Sequence, residues 1–140
     1  MLPEIRIGTD LVEVARVERL LAENPELAGQ VFTERERAYC AGRPRRSGAH
    51  LAARFAAKEA VLKALGTGAA GADWTEIEVV NQVNGRPELR LHGRAAALAH
   101  RRRVRQADLS LSHVAGLATA HAVLLCSGQD RQDTTGRATT

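Results

Sequence analysis

Two carboxylates and a pair of lysines stand in contexts suited to phosphate chemistry. Asp10 lies in Gly8-Thr9-Asp10-Leu11-Val12-Glu13, which reads as the junction between a strand end and a helix start. A side chain at such a junction projects beside free backbone N–H groups, and those N–H groups attract phosphate. Thr9 or Asp10 also has the chemistry of a helix N-cap, with Glu13 at capping-box spacing from Asp10, and acidic caps are common. Glu59 and Lys63 sit four apart within Arg54-Phe55-Ala56-Ala57-Lys58-Glu59-Ala60-Val61-Leu62-Lys63, on one helix face beside the apolar stripe. As an exposed ion pair they contribute no more than ~0.3–0.5 kcal/mol. Lys58 falls inside the stripe, where an ammonium must snorkel to water or meet an anion. Ser112 and His113 close the segment Ser110-Leu111-Ser112-His113 and can both donate hydrogen bonds to phosphate oxygens, although a histidine at a strand end is by itself more often solvated or core. Asn84 to Pro87 reads as a turn without chemistry.

The elements that must position these groups follow from periodicity. Residues 3 to 8 alternate as a short strand, and the spacing of Val14, Val17 and Leu21 predicts a helix directly after it, stopped by Asn24-Pro25. Arg16 and Arg19 lie off that apolar stripe and face solvent. Thr33-Glu34-Arg35-Glu36 is a second capping box, opening a short helix to about residue 41, and 42–48 is a basic loop. Residues 50–65 form an Ala- and Leu-rich helix ended by Gly66 and Gly68. Strands follow at Ile77 to Val80 and at Leu89 to Leu91, then a helix from Arg94 to about Arg103, a strand through Leu109 and Leu111, and a last strand over 117–125. Strands in hairpins with separate helices indicate an α+β fold around an antiparallel sheet with packed helices. One domain over 1–126 is expected, followed by a tail, 127–140, that lacks apolar residues and reads as disordered.

Composition narrows the partners. The net charge is +4, from 20 Lys and Arg against 16 Asp and Glu, which favours an anionic partner. One Trp, one Tyr and two Phe give too few stacking platforms for nucleic acid. A core built from small side chains buries little area per residue, at roughly 25 cal/mol per Å², so self-association is expected. Cys40 and Cys126 match no disulfide framework or metal-ligand spacing, no stretch approaches membrane-spanning length, and the charged start of the chain lacks the apolar run of a signal peptide. A cytoplasmic protein without membrane partners is the expectation.

Taken together, Gly8-Thr9-Asp10-Leu11-Val12-Glu13-Val14-Ala15-Arg16, Phe32-Thr33, Arg54 to Gly66 with Lys58-Glu59-Ala60 at its centre, and Ser110 to His113 resemble the holo-acyl-carrier-protein synthase family of 4′-phosphopantetheinyl transferases, over about residues 4–125. The resemblance implies the phosphopantetheinyl transferase fold and transfer of 4′-phosphopantetheine from coenzyme A to a serine of an acyl carrier protein, leaving adenosine 3′,5′-bisphosphate. It implies Mg²⁺ on Asp10 and Glu59, Lys63 at the reacting phosphate, and Arg54, Lys58 and His113 lining the coenzyme A site, with Ser112 beside them. It further implies a homotrimer with sites between subunits, and an acidic carrier docking on Arg16 and Arg19. The base is Glu59 or a water activated by the metal, and the carrier belongs to fatty-acid or polyketide synthesis. Val114 departs from the polar residue that relatives often carry after the histidine. The competing expectation is a non-catalytic basic module for RNA or coenzyme A using His100-Arg101-Arg102-Arg103-Val104-Arg105, but it leaves Asp10, Lys58 and Glu59 without a reason for their contexts.

Overall fold

The computed structural model describes residues 2–68 and 71–128, so most of the tail expected to be disordered lies outside the described residues. The chain runs β1 (Glu4–Glu13), α1 (Val14–Glu23), α2 (Leu27–Val31), α3 (Glu34–Ala41), a 3₁₀ turn (Pro44–Arg46) and α4 (Ser47–Leu65). A second 3₁₀ turn (Trp74–Glu76) leads to β2 (Ile77–Asn81), β3 (Pro87–Leu91), α5 (Gly93–Arg101), β4 (Val104–Val114) and β5 (Leu117–Cys126). Two antiparallel sheets result, a three-stranded one in the order β1-β5-β4 and the β2-β3 hairpin. This is the expected α+β architecture.

One expectation at the first junction is corrected. The strand does not end at Gly8; it continues to Glu13, and every residue from Glu4 to Glu13 has a partner on β5. Asp10 is therefore a strand residue opposite Ala120 and caps no helix. Glu13 occupies the N-cap position of α1 without a side-chain cap bond, and the first helical N–H, that of Val14, donates to the carbonyl of Gly116 at 2.8 Å. The pairing energy of a long ladder outweighs one capping interaction of about 1 kcal/mol. The second capping box forms as expected, with Thr33 and Glu36 bonded reciprocally at the start of α3. Helix α2 was not expected from the sequence.

The core lies between α4 and the inner face of the three-stranded sheet. Ala56, Ala57, Ala60 and Ala64 of α4 and Ala118, Ala120 and Ala122 of β5 are all buried. Small side chains on both surfaces let helix and sheet approach closely, and Gly8 takes the approach to its limit: a Cβ there would collide with the carbonyl of Ala60. Arg6 fastens the far end, its Nε donating to the carbonyl of Ala64 at 2.7 Å. The tight two-residue turn between β4 and β5 uses Ala115 and Gly116, both at positive φ.

Strand alternation sorts β1 into an inner set, Arg6, Gly8, Asp10 and Val12, and an outer set, Ile5, Ile7, Thr9, Leu11 and Glu13. The outer set is solvent-exposed and largely apolar: Ile5 is 67%, Ile7 71% and Leu11 62% exposed. Val123 and Leu117 of β5 and Val114 of β4 extend the same face. Apolar area collected on one sheet face of a protein this size marks an interaction surface. No helix among the described residues is long and apolar enough to cross a membrane.

Candidate active site

The close seat of α4 on β1 brings residues 49 positions apart into one cleft. Asp10, Glu59 and Lys63 line it together with Glu13, Arg16, Phe55 and Leu117, around a volume of about 510 Å³. That volume suits a small-molecule site. Asp10 enters from the inner face of β1; Glu59 and Lys63 enter from successive turns of α4. The Nζ of Lys63 donates to Asp10 Oδ1 at 3.2 Å and to the carbonyl of Thr9 at 3.0 Å, while 55% of its side chain stays exposed. The sequence pairs Lys63 with Glu59 along the helix; the fold instead aims its ammonium at Asp10, across the helix–strand junction.

Burial raises the pKa of Glu59, the charge of Asp10 raises it further, and Lys63 pulls in the opposite sense. A carboxylate whose charge is disfavoured by a second carboxylate in the same cleft is a setting for a cation. Mg²⁺ takes one or two carboxylates and fills its octahedron with water and substrate phosphate. Asp10 and Glu59 fit that donor set, and no cluster of three or more His, Cys, Asp or Glu arranged to hold an ion occurs among the described residues.

The other predicted residues fall elsewhere. Lys58 is 0% exposed and donates to Glu36 Oε1 at 2.8 Å, to the carbonyl of Trp74 at 2.9 Å and to the carbonyl of Ile77. The anion required by its place on the apolar stripe is therefore Glu36, itself 1% exposed, and the ammonium has no surface left for direct contact with a bound cofactor. Burial lowers its pKa, and Glu36 and Glu78 oppose that shift. Glu36 also accepts from the backbone N–H groups of Thr33 and Val79, so one carboxylate ties α3, α4 and β2 together. The capping-box spacing identified Glu36 as a cap; its buried partner 22 residues away is a matter of fold.

Arg54 and His113 form a second group, apart from the cleft. Arg54 is 1% exposed and bonded to Asn81 and to the carbonyl of His50. His113 lies against His50, and Tyr39 and Arg43 complete the cluster. His50 and Arg54 stand four apart on α4, a spacing visible in the sequence although His50 was not singled out. Ser112 points to the outer sheet face opposite Thr119, in the row of Leu11. Arg16 and Arg19 are exposed on α1; Arg16 lines the cleft and Arg19 does not.

Comparison with known proteins bears on this arrangement. Residues 6–120 match the 4′-phosphopantetheinyl transferase superfamily, from inside β1 to the middle of β5. The chain is 46% identical over 120 residues to the holo-[acyl-carrier-protein] synthase of Moorella thermoacetica, covering 86% of this chain and 93% of that protein. The chain belongs to the holo-acyl-carrier-protein synthase family of phosphopantetheinyl transferases. The synthase of Salinispora arenicola is 49% identical over 119 residues, covering 85% of this chain and 96% of its own. In fold, the Plasmodium yoelii holo-ACP-synthase is similar at a TM-score of 0.79 and 27% identity, covering 91% of this chain and 100% of that one. A Chronobacterium ammoniagenes ACPS-CoA complex is similar at a TM-score of 0.78 and 31% identity, covering 89% and 99%. Membership in this family makes the protein an enzyme, and both the Asp10 cleft and the Arg54–His113 cluster fall within the matched span.

Proposed function

We propose that the protein transfers 4′-phosphopantetheine from coenzyme A to a serine hydroxyl of an acyl carrier protein, with Mg²⁺ held by Asp10 and Glu59 and adenosine 3′,5′-bisphosphate as the second product. The observation that carries the reading is the cleft in which two carboxylates from β1 and α4 converge with the ammonium of Lys63. Bound Mg²⁺ would neutralise charge on the pyrophosphate, the main task in moving a phosphoryl-type group. Lys63 reaches the same charge from one turn further along α4 and stabilises what builds on the leaving bisphosphate. The hydroxyl must lose a proton as its oxygen bonds to phosphorus. Glu59, with its proton affinity raised by burial and by Asp10, is placed to receive it directly or through a water.

The donor's remaining charge calls for Arg54 and His113, which do not line the same cleft within one chain. This separation, together with the exposed apolar sheet face, supports a homotrimer in which each site combines the Asp10 cleft of one subunit with residues of its neighbour. Ser112 and Val114 lie on that face, so the apolar Val114 suits an interface. Arg16, at the rim of the cleft, and Arg19, further along α1, offer positive charge to an acidic carrier protein.

The test is a mass measurement on a purified apo carrier protein incubated with enzyme, coenzyme A and Mg²⁺. The expected result is a gain of one phosphopantetheine with release of the bisphosphate, abolished by chelator. An unchanged carrier mass with both fatty-acid and polyketide carriers overturns the reading.

A further inference from the structure

Five side chains from two helices, a loop and a strand converge beside the start of α4. The rings of Tyr39 and His50 meet edge-on with centroids 5.6 Å apart, and those of His50 and His113 meet edge-on at 5.7 Å. The guanidinium groups of Arg43 and Arg54 lie 3.7 and 4.3 Å from the centroid of the Tyr39 ring. Arg54 is 1% exposed, and its terminal nitrogens reach two uncharged acceptors, the His50 carbonyl and the Asn81 amide oxygen. Its Nε is buried with no partner. Among the described residues, neither Arg43 nor Arg54 forms an ion pair with a carboxylate.

Among the described residues, no acid of the surrounding elements forms an ion pair with this cluster. Glu36 of α3 is held by Lys58, Glu78 of β2 is bonded to Thr33 and His92, and Glu18 of α1 lies against Gly48. His50 thus faces Arg54 on its own helix, His113 from β4, Arg43 and Arg46 from the turn, and Tyr39 from α3. Burial, and then the charges of Arg54, His113, Arg43 and Arg46, hold its pKa below the ordinary histidine value. At pH 7.5 the imidazole is neutral and presents one N–H donor. A buried guanidinium with an unmade bond, beside an imidazole that burial and positive neighbours keep neutral, is a site short of one anion.

We propose that this cluster accepts a phosphate monoester and that His50 takes one proton from solvent as the anion enters, so that donor binding is linked to proton uptake. The proposal rests on the reading of Arg54 and His113 as donor-binding residues, and it assigns to them the 3′-phosphate of coenzyme A, the monoester of that molecule, while the pyrophosphate goes to the Asp10 cleft. A dianion among Arg43, Arg54 and His113 reverses the field at His50 and stabilises the imidazolium, which then offers both N–H groups. Between the free and bound pKa values of His50, the Kd for coenzyme A rises close to tenfold per pH unit. The phosphate acts in the opposite sense, since a cationic pocket releases its proton. At pH 7.5, well above its second pKa of about 6, it has almost none left to release.

The experiment is calorimetric titration of the whole protein with coenzyme A at pH 7.5 in buffers of different ionisation enthalpy. The expected result is uptake approaching one proton per coenzyme A in the wild type, lost in His50→Gln with binding retained, and absent when dephospho-coenzyme A replaces coenzyme A. Coenzyme A that binds without uptake overturns the proposal and leaves the donor-site reading standing. Uptake that persists in His50→Gln and disappears in His113→Gln also overturns it. Coenzyme A that does not bind at all overturns the donor-site reading, and this proposal with it.

Discussion

Replacing Lys58 by Met keeps the stem of the side chain and removes the ammonium from a place where water does not reach. Glu36 would remain 1% exposed with no cation, still accepting from Thr33 N at 2.9 Å and from Val79 N at 3.1 Å. Breaking a buried pair from one side costs about 3–5 kcal/mol, and the two surviving backbone donors hold that part near the lower figure. The carbonyls of Trp74 and Ile77 also lose their donor, which adds about 1 kcal/mol or more. The total is near 4 kcal/mol, or roughly 16 °C in Tm for a domain of this length at about 4 °C per kcal/mol. Adding Glu36→Gln to Lys58→Met removes the orphaned charge, and about half the loss should return. Calorimetric melting of the three proteins measures this, with steady-state KM for coenzyme A measured alongside. A Lys58→Met protein that melts within about 4 °C of the wild type but has a raised KM for coenzyme A would refute the reasoning, since its ammonium would then be facing the cofactor and not Glu36.

Asp10→Ala and Glu59→Ala should each lower kcat by about 10³-fold, the scale of a lost metal ligand, while the melting temperature holds and coenzyme A binding weakens only in part; near-normal turnover of either variant at limiting Mg²⁺ contradicts the assignment. Lys63→Met should lower kcat more than it raises KM for coenzyme A, because its charge serves the transition state more than the ground state. Steady-state kinetics decide that point, and an unchanged kcat returns Lys63 to an ordinary surface ion pair. Arg16→Glu should raise KM for the carrier protein more at low salt than at high, with coenzyme A affinity unmoved, as screening of an exposed charge requires. Ile7→Glu, which puts a charge on the exposed sheet face, should sediment as a monomer and be inactive, and the wild type should lose specific activity on dilution. An Ile7→Glu protein that remains a trimer shows that this face is not the interface.

The first junction shows where the sequence was legible and where it was not. Thr9, Asp10 and Glu13 carry the pattern of a helix start, yet Leu11 and Val12 belong to the alternation of a strand. That alternation is hidden because the outer face is apolar too: Leu11 points out and Val12 in, so adjacent apolar residues masked a period of two. Only pairing with β5, more than a hundred residues later, decides between the alternatives. By contrast, α3 declared itself through Thr33 and Glu36, and α4 through its small and branched apolar residues, because those signals are local. The site divides in the same way. Glu59 and Lys63 were legible as neighbours on one helix, whereas the turn of Lys63 toward Asp10 depends on how close Gly8 lets the helix lie. Lys58 announced its need for an anion, but the choice of Glu36 among 16 acidic residues belongs to the fold.

The pairing of β1 with β5 also governs when the cleft first exists in a growing chain. Asp10 leaves the ribosome early, but the strand that holds its backbone, Leu117–Cys126, is made last among the described elements. At about 5–20 residues per second, roughly 6 to 23 s separate the synthesis of Glu13 from that of Cys126. Until β5 is made, Ile5, Ile7, Leu11 and Val12 have no strand to pair with, so the nascent chain offers a sticky apolar segment to chaperones. Synthesis of β5, and not that of Asp10 and Glu59 themselves, therefore sets the moment at which the strand carrying Asp10 is held in place.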